Sequence, residues 1–135
     1  MKRILLLLSL LFALTACAED VLYYNIDNNQ LQTMLEQDVM IIDIRRPEEW
    51  KQTGVVAGSQ KLTAFDKGGR LNPNFLPTFT QSVGKDQPVI LICRTGNRTR
   101  ALSNVLSKEL GYTNINNVKN GITSWIREGK PVTKI

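Results

Sequence analysis

The chain has 135 residues, 42% hydrophobic and 21% charged, with 17 basic against 12 acidic side chains. These values fit one small globular domain. Its net charge of +5 comes without a basic run interleaved with aromatics, so nucleic-acid binding has no support. It contains no histidine, which excludes Cys-His and Ser-His catalytic pairs and His-ligated metals.

The first residues read as a targeting segment rather than as part of the domain. Lys2 and Arg3 form a positive n-region, Ile4 to Leu14 an apolar run too short to span a bilayer, and Thr15-Ala16-Cys17-Ala18 a small-residue stretch. Two processing schemes fit. Ala16-Cys17-Ala18 suits ordinary signal peptidase, making residues 1–18 the signal. Leu14-Thr15-Ala16-Cys17 resembles a bacterial lipobox, which limits the signal to 1–16 and makes Cys17 the lipidation candidate. Firm membrane attachment would then need a second acyl group. Both schemes send the domain beyond the inner membrane, to the bacterial periplasm, and Ala18 after a lipidated Cys17 favours the outer membrane. Without Lys2 and Arg3, 15 basic and 12 acidic residues remain, a mild +3.

One domain is expected over residues 20–135, since no repeat, low-complexity tract or linker interrupts it. Val21–Ile26 reads as a strand, and Asn28 or Asn29 as the N-cap of a helix with Leu31, Met34 and Leu35 on one face. Val39–Ile44 is a near-continuous apolar run, the mark of a strand covered on both faces. Pro47, Glu48 and Glu49 suit a helix start, through the fixed φ of proline and the dipole preference for acids. Gly54–Ser59 is turn-rich and Lys67–Arg70 a loop. Asn72–Val83 reads as an irregular helix broken at Pro77. Val89–Ile92 is a second apolar strand, Arg98–Leu110 an amphipathic helix ended by Gly111, Asn114–Val118 a short strand and Gly121–Glu128 a last helix. This alternation predicts an α/β sandwich of helix, sheet and helix around a mostly parallel sheet. Ligands bind such sheets at the carboxyl ends of the strands, where Cys93 and Asp43 fall.

Cys93-Arg94-Thr95-Gly96-Asn97-Arg98 joins an apolar strand to a helix. A loop entering a helix N-terminus aims backbone N–H groups at one point, which is an anion site. Gly96 allows positive φ, Thr95 offers a hydroxyl, and Arg94 and Arg98 supply guanidiniums that can hold an oxyanion through paired hydrogen bonds. The same field favours the thiolate form of Cys93, the only thiol left once Cys17 is removed or acylated. No general base is then required. Asp43 is a candidate for orienting an active-site arginine or the loop, or for capping the next helix. Arg45 and Arg46 either add to the positive field or are solvated, and Trp50 and Trp125 read as packing residues.

These residues carry a resemblance. CRTGNR at 93–98 resembles the active-site loop of rhodanese-domain sulfurtransferases. Ile42 to Trp50 is similar to that family's Asp-x-Arg and Pro-Glu-Glu-aromatic signature, and Asn117–Ile122 with Trp125 and Pro131-Val132 to its C-terminal ending. The three lie in the family's order across residues 39–132. One departure is Gly54-Val55-Val56-Ala57-Gly58-Ser59, where the family often has a histidine. The resemblance implies a rhodanese-like fold and a two-step transfer. A small anionic donor such as thiosulfate would leave sulfane sulfur on Cys93, and cyanide or a thiol would accept it, with no metal or organic cofactor.

Two rivals stand beside this reading. Cysteine phosphatases and arsenate reductases resemble Cys-x5-Arg, a spacing that here falls on Thr99. A persulfide carrier or binding module, delivering sulfur to a protein acceptor without turning over small donors, would use the same cysteine and loop.

Overall fold

The computed structural model describes residues 20–135; the signal segment and Cys17 lie outside the described residues. Five strands alternate with helices in chain order. They are β1 (Tyr24–Ile26), α1 (Asn28–Glu36), β2 (Met40–Asp43), α2 (Pro47–Thr53), β3 (Gln60–Lys61), α3 (Phe75–Ser82), β4 (Val89–Ile92), α4 (Asn97–Asn104), β5 (Ile115–Val118) and α5 (Gly121–Arg127). The sheet order is β1-β5-β4-β2-β3 and every pairing is parallel.

Successive side chains of a strand point to opposite faces, and β4 shows the consequence directly. Val89, Leu91 and Cys93 join Phe75, Phe79, Leu102 and Leu106 on the face covered by α3 and α4. Ile90 and Ile92 join Leu31, Ile122 and Trp125 on the face covered by α1 and α5. All four β4 residues are buried, which accounts for the unbroken apolar run. The α/β sandwich expected from the strand–helix alternation is therefore the observed fold.

Three local expectations are corrected, and one strand was not expected. Asp27, not Asn28 or Asn29, caps α1, accepting from the Gln30 N–H at 2.8 Å while Gln30 returns a contact to the Asp27 N–H. Pro47 does stand at the first position of α2, but Pro77 breaks nothing. It is the third residue of α3, where a backbone N–H would lack an intrahelical partner anyway. The helix after the cysteine loop is α-helical only to Asn104 and closes through a π-helical turn at Val105–Glu109. The polar, exposed edge strand β3 carries no apolar pattern by which to read it.

Arg45 is neither a surface charge nor part of a positive field around the cysteine. It is 1% exposed, Asp43 beside it 0%, and their charged ends meet at 2.8 Å. Asp43 also accepts from the Arg45 N–H and from the Trp50 indole at 3.1 Å each. The Arg45 guanidinium goes on to the Thr53 hydroxyl and the Gly54 carbonyl, both at 2.9 Å, at the C-terminal end of α2. The pair thus fastens α2 to the end of β2. Removing one partner of such a pair strands the other charge in the interior. We expect Arg45→Met to lower the unfolding free energy by about 3–5 kcal/mol in a urea titration.

Candidate active site

β4 delivers Cys93 to the carboxyl edge of the sheet, between β2 and β5. The residue is 1% exposed. The Gly96 N–H donates to its Sγ at 3.2 Å, and the Thr99 hydroxyl lies 3.4 Å from the sulfur and 3.2 Å from the Gly96 carbonyl. Thr99 is fully buried on the first turn of α4. A backbone amide and a hydroxyl thus converge on the sulfur.

The loop holds this shape because a second segment receives it. The N–H groups of Ile122 and Thr123, in the first turn of α5, donate to the carbonyls of Cys93 and Arg94 at 2.9 and 3.1 Å. Two glycines make the approach possible. Gly96 has φ +92, and a Cβ there would run into the Lys119 carbonyl. Gly121 has φ +62, and a Cβ there would run into the Arg94 carbonyl and the Thr95 nitrogen. Each glycine gives room to the other's segment.

Beside the cysteine loop lies a cleft of about 340 Å³, lined by Arg46, Glu49, Arg94, Thr95, Asn97 and Arg98. Of the residues singled out in the sequence, Arg46, Arg94, Thr95, Asn97 and Arg98 line this cleft, with Cys93 and Gly96 buried behind them. Asp43 and Arg45 are not brought into it, being committed to each other and to α2. Arg98 does not project as a free cation. Its two terminal nitrogens meet the two Glu49 oxygens at 2.7 and 2.8 Å, a bidentate pair between α4 and α2. Glu49 also accepts from the Arg46 N–H at 3.0 Å.

These contacts set the charge states. Burial pushes the Glu49 carboxyl up, but hydrogen bonds from Arg98 and the Arg46 backbone, with both guanidinium charges, outweigh it and bring it to about 2. Glu49 in turn raises Arg98 further above its ordinary range, chiefly through the hydrogen bonds and against some desolvation.

Three residues of the site escaped the sequence reading. Glu49 was legible only as an acid in a helix's first turn, and Thr99 only as the residue standing where a phosphatase would need arginine. Gly121 looked like a plain helix start. A glycine directly after an asparagine is a signal, but its contact lies 27 residues back along the chain.

With the fold and this geometry in hand, the class is a parallel α/β domain whose central strand presents a cysteine in an anion-cradling loop. The chain belongs to the rhodanese-like domain family, whose model matches residues 27–128. A model of the prokaryotic membrane lipoprotein lipid attachment site matches residues 1–18. A sulfurtransferase of Allochromatium vinosum is 29% identical over 109 residues, covering 79% of this chain and 92% of that protein. Thiosulfate sulfurtransferase GlpE of Tolumonas auensis is 30% identical over 87 residues, covering 64% of this chain and 72% of its own. A rhodanese-related protein of Thermoplasma volcanium superposes with a TM-score of 0.62 at 27% identity, over 82% of this chain and 98% of that one.

Two outcomes are expected. Gly121→Ala should cost about 2–4 kcal/mol, because backbone strain and a backbone clash add. Gly58→Ala, with φ +81 but open space around it, should lose about 1 kcal/mol from conformation alone. Urea titrations of the two variants compare them. The second outcome concerns pH. The carboxyl of Glu49 is lowered on folding from an ordinary 4.5 to about 2, so its stabilisation is complete above pH 4.5 and is lost as pH falls toward 2. The stability gap between wild type and Glu49→Gln should follow that course in unfolding titrations from pH 7 to pH 2.

Proposed function

We propose that this protein is a sulfurtransferase in which Cys93 takes up and passes on sulfane sulfur. The reading rests on one observation above others: an amide N–H and a hydroxyl converge on the sulfur of an otherwise enclosed cysteine. The amide donor stabilises a negative sulfur, whether thiolate or the outer atom of a persulfide, and the Thr99 hydroxyl adds to it when its one proton turns from the Gly96 carbonyl to the sulfur. The names of the relatives in Allochromatium vinosum and Tolumonas auensis point the same way.

The transfer has two steps. The Cys93 thiolate attacks the terminal sulfur of a donor such as thiosulfate. A new S–S bond forms, the donor's S–S bond breaks with its electron pair, and sulfite leaves. Cys93 then bears a persulfide anion, whose outer sulfur is taken by cyanide or a thiol acceptor as the thiolate is regenerated. Dividing one transfer into two through a covalent intermediate lowers each barrier. No proton has to be abstracted, which agrees with a site built without histidine.

Burial favours sulfur over phosphate. A thiol 1% exposed behind the residues that line the cleft is reached by one narrow projecting atom, as the sulfane sulfur is. A tetrahedral phosphoryl group needs a wider cradle and an arginine where this chain has Thr99. Through Cys17 we place the domain on a membrane, beyond the inner membrane in the periplasm, with the outer membrane as the favoured site.

The test is mass spectrometry of the purified protein after thiosulfate treatment, with cyanide added in a second step. We expect a gain of one sulfur on Cys93 that cyanide removes, and no gain in a folded Cys93→Ser variant. Sulfur uptake by Cys93→Ser would overturn the assignment. Persulfide that forms but is never passed to cyanide or thiols identifies a carrier serving a protein acceptor instead.

A further inference from the structure

The cleft beside the cysteine loop is lined by three guanidiniums, yet two are already answered. Arg98 is engaged through both terminal nitrogens by Glu49. Arg46 meets Glu48 at 2.8 Å and Glu49 at 3.9 Å. Among the described residues, Arg94 alone of the cleft's cations has no carboxylate partner, and it is exposed. An incoming donor therefore meets one free positive charge and a carboxylate close by, rather than a triple cation.

We infer that Glu49 sets the charge class of the sulfur donor: by holding Arg98 in a closed pair it tunes the cleft for singly charged sulfane donors over dianionic thiosulfate. This rests on the sulfur-transfer reading above and names the donor class for the same site. Suitable donors carry a terminal sulfane sulfur on a singly charged body, as an organic thiosulfonate does. Attack by the Cys93 thiolate on that sulfur leaves the persulfide on Cys93 and expels the sulfinate with the electron pair of the broken bond. The step balances as it does for thiosulfate and sulfite.

The physical basis is simple. A carboxylate that lines the cleft opposes a second negative charge about as strongly as the first, so a dianion feels roughly twice the penalty of a monoanion. Glu49 lines the cleft and makes no contact with the Cys93 sulfur, so it works on a donor by charge. It is a positioning residue that acts through the Arg98 guanidinium. A purely structural pair between α2 and α4 would alter stability without sorting donors by charge.

The experiment measures the second-order rate of persulfide formation on Cys93 with thiosulfate and with methanethiosulfonate, by quenched mass spectrometry, at low and high salt. Glu49→Gln keeps the side chain's shape and removes its charge. We expect it to raise the thiosulfate-to-thiosulfonate rate ratio about five- to tenfold at low ionic strength, with the gain shrinking in salt. Glu49→Asp, which keeps the charge, should stay within about twofold of wild type. Arg98→Gln bares the Glu49 carboxylate and should lower the ratio, which keeps the inference testable if Glu49→Gln does not fold. A ratio unmoved by Glu49→Gln, or by Arg98→Gln where Glu49→Gln does not fold, overturns the inference while leaving sulfur transfer in place. If wild type forms persulfide with neither donor, the sulfur-transfer reading falls and the inference with it.

Discussion

The site depends on the reciprocal approach of two backbone segments, the loop after β4 and the start of α5. Gly96 and Gly121 each sit where a Cβ would meet the other segment's backbone, and both have positive φ. Their contact brings the first amides of α5 onto the Cys93 and Arg94 carbonyls. A carbonyl engaged outward leaves its loop free to turn N–H groups inward, and the Gly96 N–H is the one that reaches the sulfur. The anion-stabilising character of the loop is thus a property of two strand ends held together, not of six residues in a row.

Two ion pairs fix α2 beside that loop, and they differ in kind. Asp43 and Arg45 are sealed in the interior, and their geometry ties the end of β2 to the last carbonyls of α2. Glu49 and Arg98 stand at the wall of the cleft, partly open to water, and join α2 to the first turn of α4. The first pair secures architecture. The second sits where a substrate's charge is felt, so the same bond that positions two helices also shapes the electrostatics of the cleft.

Much of this was legible in the sequence because burial and periodicity are local facts. The runs Val39–Ile44 and Val89–Ile92 announced strands covered on both faces, and Cys93 to Arg98 announced the anion loop. What escaped depends on partners distant in the chain. Arg98 reads as a free cation until Glu49, 49 residues earlier, is placed against it. Arg45 reads as a surface charge until burial beside Asp43 is seen. β3 was invisible because two exposed polar residues carry no pattern, and Pro77 misled because its effect turns on a helix boundary that sequence leaves loose by a few residues.

A sheet whose strands all run one way has two unlike ends. The chain enters β1 at Tyr24, level with Asn116 at the amino end of the sheet, whereas Cys93 follows the carboxyl end of β4. The point where the chain enters the sheet and the thiol therefore lie toward its opposite ends, so one short strand length separates arrival from chemistry.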